Sequence, residues 1–199
     1  MYRGEDISVY VVSTETWNNE MNNFPFDEFI YMFHGEALVK PKYGKTQLFQ
    51  TGDYFFAPKG FTGEWEIRAG SHLHYELSVI ASNRIDAHAI QKDATHKLFD
   101  RSTISGASIT LDEKGQFSQI LEQGAELSIR LQAENPSEKQ ISEPEKEKLI
   151  RVLSGQITMT SLDNSEQVFY TGDFFVLPKG FRGEWKSEGH GLVKYLIVE

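Results

Sequence analysis

Residues 52–65 read GDYFFAPKGFTGEW, and residues 172–185 read GDFFVLPKGFRGEW. Each copy is a run of local instructions. Gly52-Asp53 and Gly172-Asp173 specify tight turns, in which Gly supplies a positive φ and Asp bonds its own backbone. YFFAP and FFVLP then read as short strands, buried on at least one face. Pro58-Lys59-Gly60 and Pro178-Lys179-Gly180 predict a second turn, with Pro fixing φ at the first corner. Gly63 and Gly183 mark a bend or a close backbone approach. Trp65 and Trp185 close the unit as large apolar plugs. A turn, a strand, a turn and a plug make the corner of a small β-structure, and the chain contains that corner twice.

The repeat extends well beyond this corner. Over 47–65 and 167–185, thirteen of nineteen positions are identical. GEDISVYVV from Gly4 matches GAELSIRLQ from Gly124, and DEFIYMFHG from Asp27 matches EKLIRVLSG from Glu147. With the ending HYELSV set against KYLIVE, residues 4–79 are expected to overlay 124–199 without a gap. A long period present only twice is a duplicated domain rather than a solenoid. The local patterns are short, alternating and bounded by Gly, Pro, Asn or Asp, which predicts an all-β fold of two barrels. The expected boundaries are 1–82 for the first barrel and 83–199 for connector strands plus the second. Hairpins are expected around Glu113-Lys114-Gly115 and around Asp163-Asn164, and a short helical turn within 82–98. The connector, 80–123, has no counterpart ahead of the first copy. It is therefore expected to complete the first barrel or to meet a partner chain.

Composition narrows the function classes. The formal net charge is −9 and the Lys residues are scattered, which argues against nucleic acid and anionic membranes as partners. The absence of Cys removes disulfides, thiolate catalysis and zinc–thiolate sites. No apolar run approaches the roughly 20 residues of a spanning helix. Glu5 and Asp6 stand where a signal peptide would be apolar, so a cytoplasmic location is expected.

The residues resemble the cupin family, whose motifs have the forms G-x5-H-x-H-x(3,4)-E-x6-G and G-x5-P-x-G-x2-H-x3-N. Glu28 and Gly35 match the end of the first motif, and Gly52, Pro58 and Gly60 match the second. Gly155, Gly172, Pro178 and Gly180 repeat the match. The ending PKGFTGEW is similar to the subgroup that includes the cupin domains of ureidoglycine aminohydrolase and of an ethanolamine-utilisation protein. The resemblance implies two tandem RmlC-like jelly-roll β-barrels and commonly a homodimer. It also implies a metal held by imidazoles and a carboxylate. Here the imidazole positions fall on Asn22 and Phe24, or on Met21 and Asn23, and then on Gly63. In the second copy Lys148 and Gly183 replace the carboxylate and the last imidazole. Only Glu28 survives, so no metal or other cofactor is expected.

The remaining candidates are in the first copy. His72 and His74 form the single H-x-H of the chain, and on a strand they would share one face. Glu28, if it points inward, must be paired, hydrogen-bonded or protonated. Trp65 lies on the face of the missing imidazole, and Tyr75 follows His74. The predicted ligand site is therefore Glu28, Trp65, His72, His74 and Tyr75, taking a small molecule. Were a divalent metal to bind, Glu28, His72 and His74 would be its ligands. An enzyme resembling ureidoglycine aminohydrolase and a dimerising scaffold are the alternative readings.

Overall fold

A computed structural model describes residues 1–82, 94–106 and 108–199. The chain divides into two compact units. The first is Met1–Phe99 with Gln123–Leu127, and the second is Asp100–Glu122 with Ser128–Glu199.

In the first unit the strands are β1 (Tyr2–Arg3), β2 (Ile7–Thr14), β3 (Trp17–Met21), β4 (Glu28–His34), β5 (Glu36–Pro41), β6 (Gln47–Gln50), β7 (Tyr54–Ala57), β8 (Gly63–Arg68), β9 (His74–Ala81) and β10 (Lys97–Leu98). They form two antiparallel sheets, ordered β1-β2-β9-β4-β7-β10 and β3-β8-β5-β6. The second unit carries a short helix α1 (Arg101–Ser105) and then β11 (Gln116–Gln123), β12 (Ser128–Glu134), β13 (Ser137–Ser142), β14 (Lys148–Ser154), β15 (Gln156–Ser161), β16 (Glu166–Tyr170), β17 (Phe174–Leu177), β18 (Arg182–Glu188) and β19 (Val193–Val198). Its sheets are β11-β12-β19-β14-β17 and β13-β18-β15-β16. Each unit is thus a jelly roll, and the strand order of the second repeats that of the first.

The repeated corner folds as its residues dictate. Gly52 has φ 88° and Gly172 φ 103°. Asp53 N donates to Gln50 O at 2.9 Å, and Gln50 N returns a bond to the Asp53 carboxylate at 2.8 Å. Asp173 and Tyr170 make the same pair, at 2.8 and 2.7 Å. The next turn closes by Phe61 N to Pro58 O and by Phe181 N to Pro178 O. Behind it the rings stack: Phe49 on Phe55 at 4.1 Å and Phe169 on Phe175 at 4.0 Å. Asp27, 1% exposed, accepts from Lys59 N, Glu126 N and Leu127 N, and Lys59 Nζ reaches Glu126 at 2.5 Å. The PKG turn of the first unit is thereby tied to residues 123–127.

Two expectations change, and a third lies mostly outside the described residues. The hairpin around 113–115 has one arm: Asp112 Oδ1 accepts from Lys114 N and Gln116 N, and this turn leads directly into β11. Asp163-Asn164 does turn a hairpin, between β15 and β16. The helical turn expected within 82–98 falls mostly on residues 83–93, outside the described residues; Lys97-Leu98 instead pairs with β7, so part of the connector completes the first unit. The overlay also carries a gap. Ile30 pairs with Ser78, but Ile150 pairs with Ile197 rather than with the position 120 residues beyond Ser78. The turn before β9 is AGSHL, and the turn before β19 is GHGL, one residue shorter. Tyr195 is therefore the counterpart of Glu76, not of Tyr75.

Candidate functional site

Strand alternation fixes what faces the inside of the first barrel. Ile30 and Met32 pack in its core with Trp65 and Phe55, so Glu28, two residues earlier on β4, shares their face. Ser78 lies opposite Ile30 and Glu76 opposite Met32. Tyr10, Val12 and Thr14 of β2 face Ser78, Glu76 and His74 in turn. A polar strip of Glu28, Ser78, Glu76, His74 and Thr14 thus runs along an otherwise apolar inner face.

The strip is internally bonded at two points. Ser78 Oγ donates to Glu28 Oε1. His74 Nε2 and Glu76 Oε2 lie 2.7 Å apart, with His74 1% exposed. Burial pushes the Glu28 carboxyl up to about 8, the neighbouring Glu76 charge adds to the rise, and the Ser78 bond opposes it. Glu28 is accordingly protonated at neutral pH. The first unit also buries polar atoms that have no partner among the described residues: Thr14 Oγ1, Gln47 Oε1, Trp65 Nε1, His74 Nδ1 and both ring nitrogens of His96. Buried polar atoms nearly always have a partner, so these orphans need explanation.

His96 was not singled out by sequence, because it lies in the connector and has no counterpart in the other copy. It stands edge-on to Phe61 at 4.5 Å and to Trp65 at 4.7 Å, with Phe49 and Phe55 each at 6.0 Å. Burial drives its pKa down to about 3, so the ring is neutral. The one available signal was an apolar Phe and His pattern, HKLF, continuing the β-rich text.

Of the five residues predicted for the site, the structure brings Glu28, His74 and Trp65 to the inner face. It does not bring His72 or Tyr75. His72 sits in the turn ahead of β9, exposed, 5.9 Å ring to ring from His34. Tyr75 is 40% exposed, because alternation turns it outward when His74 and Glu76 turn in.

A family model described as the EutQ-like cupin domain matches the chain twice, at residues 8–75 and 131–195. The chain belongs to the EutQ-like cupin family. No curated protein matches it in sequence. Among solved structures it is similar to a DUF861-family protein of Pseudomonas syringae pv. tomato str. DC3000, with a TM-score of 0.75 at 15% identity, covering 100% of this chain and 84% of the other. It is also similar to the E. coli protein YlbA, TM-score 0.55 at 16% identity, covering 96% and 76%. A salicylate 1,2-dioxygenase of Pseudaminobacter salicylatoxidans aligns with a TM-score of 0.65 at 9% identity, covering 98% and 70%. These likenesses carry the fold alone.

The positions where this cupin would carry the family's imidazoles do not fit a metal. A Cβ on Gly63 would overlap the Lys40 carbonyl oxygen and meet Pro41 Cα at 2.8 Å, so no side chain can stand there. Gly183 is closed in the same way by the Thr160 carbonyl. Phe24 is packed in the core. Among the described residues no three His, Asp or Glu side chains gather as an ion would need. Among the described residues, too, no helix is long and apolar enough to cross a membrane.

The second barrel of this cupin is built differently inside. Lys148 replaces Glu28 and pairs with Glu199 at 2.7 Å. Val193, Tyr195 and Ile197 stand where the first barrel has His74, Glu76 and Ser78. Glu134 stands where Thr14 does. It takes Lys139 Nζ at 2.7 Å, Trp185 Nε1 at 3.0 Å and Tyr195 OH at 3.4 Å. A cavity of about 130 Å³ opens beside Glu134, Lys139 and Tyr195, whose polar groups are already satisfied by one another.

Proposed function

We propose that this cupin is a small-molecule-binding protein whose ligand enters the first barrel against Glu28, Ser78, Glu76, His74 and Thr14. The observation that carries this reading is the concentration of orphaned buried polar atoms on that barrel's inner face, beside a carboxyl held neutral. A few convergent polar groups among aromatic walls are what a small polar ligand needs. The protonated Glu28 can donate one hydrogen bond and accept others, which favours an uncharged or hydrogen-bond-accepting ligand.

Thermal unfolding against a panel of small polar metabolites tests the reading. A ligand that raises the midpoint of the wild type should lose most of that effect in Glu28→Gln, with the fold preserved by circular dichroism. Binding that is unchanged in Glu28→Gln would sink it. Catalysis is the second reading, favoured by one feature: a carboxyl titrating near neutral pH is suited to giving and taking a proton. Turnover of the bound ligand that follows a pKa near 8 and vanishes in Glu28→Gln would decide for it.

A further inference from the structure

The second barrel indicates which chemical group the first one takes. Trp65 and Trp185 are counterparts: Trp65 pairs with Val39 on β5, and Trp185 with Met159 on β15. Thr14 and Glu134 are counterparts too, opposite His74 on β9 and Val193 on β19. In the second barrel the Glu134 carboxylate, 3% exposed, accepts from the Trp185 indole at 3.0 Å. In the first barrel the shorter Thr14 cannot reach as far. Trp65 Nε1 and Thr14 Oγ1 are both buried, and neither has a partner among the described residues. The same indole N–H is presented, and its acceptor is missing.

Resting on the reading of the first barrel as a ligand site, we propose that Trp65 Nε1–H and Thr14 Oγ1–H bind the carbonyl oxygen of a small uncharged amide, which takes the place the Glu134 carboxylate holds in the other barrel.

Charge selects the amide over its relatives. Glu134 is neutralised by Lys139, whose register counterpart in the first barrel is Asn19, opposite Trp65 on β3. An anion at that place would have no lysine beside it among the described residues, only the His74 ring opposite Thr14, whose Nε2 is already engaged by Glu76 at 2.7 Å. A cation would offer only donors, which the Trp65 indole cannot accept and which would leave its N–H unpaired. A neutral carbonyl avoids both costs, and its N–H groups suit the carboxyl oxygens of the strip. Trp17, half-buried at the start of β3, has its ring 6.4 Å from that of Trp65; the small Ser137 holds the equivalent place on β13.

The test uses the full chain labelled with ¹⁵N. Its three Trp give three indole N–H signals, assigned by single Trp→Phe variants. Acetamide, acetate and acetamidinium have one shape and three charges. Acetamide should shift the Trp65 signal and leave that of Trp185 in place. Acetate should bind at least about tenfold more weakly, and acetamidinium should not shift the signal. Thr14→Glu should move the Trp65 signal towards the position of Trp185 without any probe, and should weaken acetamide binding at least about tenfold. Thr14→Val, nearly isosteric and lacking the hydroxyl, should weaken acetamide binding with the fold intact. A Trp65 signal indifferent to all three probes, or responding equally to all three, overturns the proposal, as does a Thr14→Val variant that binds acetamide like the wild type. If Thr14→Val is silent while Glu28→Gln abolishes binding, the carbonyl site falls and the first barrel remains a ligand site. If neither matters, both fall.

Discussion

On the inner face of the first barrel, Glu28, Thr14, His74, Glu76 and Ser78 occupy the places that Lys148, Glu134, Val193, Tyr195 and Ile197 hold in the second. Both barrels put polar groups inside, but they settle them differently. In the second, Glu134 gathers a lysine, an indole and a phenol, and Lys148 reaches Glu199. In the first, a carboxyl is held neutral by burial and several polar atoms lack any partner. An unsatisfied buried polar atom costs about 1–3 kcal/mol. The second barrel has spent its polar residues on its own stability. The first keeps them unpaired, as a binding site would.

What the barrels share should be tested first, because it carries the largest effect. Gly63→Ala puts a methyl group into the Lys40 carbonyl, and Gly183→Ala puts one into that of Thr160. Backbone cannot yield as a flexible side chain can. Each substitution should cost about 3 kcal/mol or more in chemical denaturation, and the two should cost alike. A mild effect at Gly63 alone would mean that the first barrel's corner can open and that its imidazole position is not sterically closed.

The second effect separates the barrels by pH. The Glu28 carboxyl sits at about 8 in the folded protein against an ordinary 4.5. Between those values the folded state keeps a proton that the unfolded chain has lost. Stability from this group is therefore greatest below about 4.5, declines as pH rises to about 8, and is flat beyond. The decline should amount to about 2–3 kcal/mol, allowing for solvent reaching a partly buried group. Glu28→Gln should remove it, whereas Lys148→Gln should leave the slope as it is. A wild-type stability that is level from pH 5 to 8, with no change in slope on Glu28→Gln, would contradict a neutral carboxyl.

The third breaks the second barrel's self-sufficiency. Glu134→Thr, which copies the first barrel's residue, leaves the Trp185 indole and the Tyr195 hydroxyl without an acceptor. It should cost about 2 kcal/mol by denaturation, since two buried donors then lack a partner. If the variant is as stable as the wild type, water or rearrangement satisfies these groups, and an orphaned indole in the first barrel loses its significance.

The frame was legible in the sequence because it is written in local chemistry. Gly-Asp and Pro-Lys-Gly turns depend on their own few residues, and the resemblance carried by E-x6-G singled out Glu28 as the carboxylate to look for on the inner face. The lumen was legible only in part, because it depends on register. One residue missing between β18 and β19 makes Tyr195 look like the partner of Tyr75, when it stands in the place of Glu76. That slip exchanges the two faces of a strand, which hid Glu76 and Ser78 and promoted Tyr75. His72 was misread for a related reason: its H-x-H spacing presumes a strand, but β9 begins at His74. His96 was hidden differently. Its segment has no repeat to be compared with, and only the packing of Phe61 and Trp65 around it gives it meaning.

The smallest effect concerns that histidine, which has no equivalent in the second barrel. His96 is 2% exposed among aromatic rings, and neither ring nitrogen has a partner among the described residues. His96→Phe keeps a flat ring in the cage and removes two unsatisfied atoms. The variant should be about 1 kcal/mol more stable than the wild type near pH 8. The gain should grow as the pH falls. Burial holds the folded-state pKa at about 3 against an ordinary 6.5, so below 6.5 the unfolded chain gains a proton that the folded protein refuses. The wild type therefore loses stability through this group as pH falls from 6.5 towards 3, and the Phe variant does not. This slope is opposite in sign to that of Glu28, so the two substitutions can be told apart in one set of denaturation curves. A gain at all pH values would mark His96 as an imidazole kept at a cost to stability, as expected of a residue retained for what enters the barrel. A loss would mean that its nitrogens are bonded in solution, to ring faces or to water, and that the cage is complete as it stands.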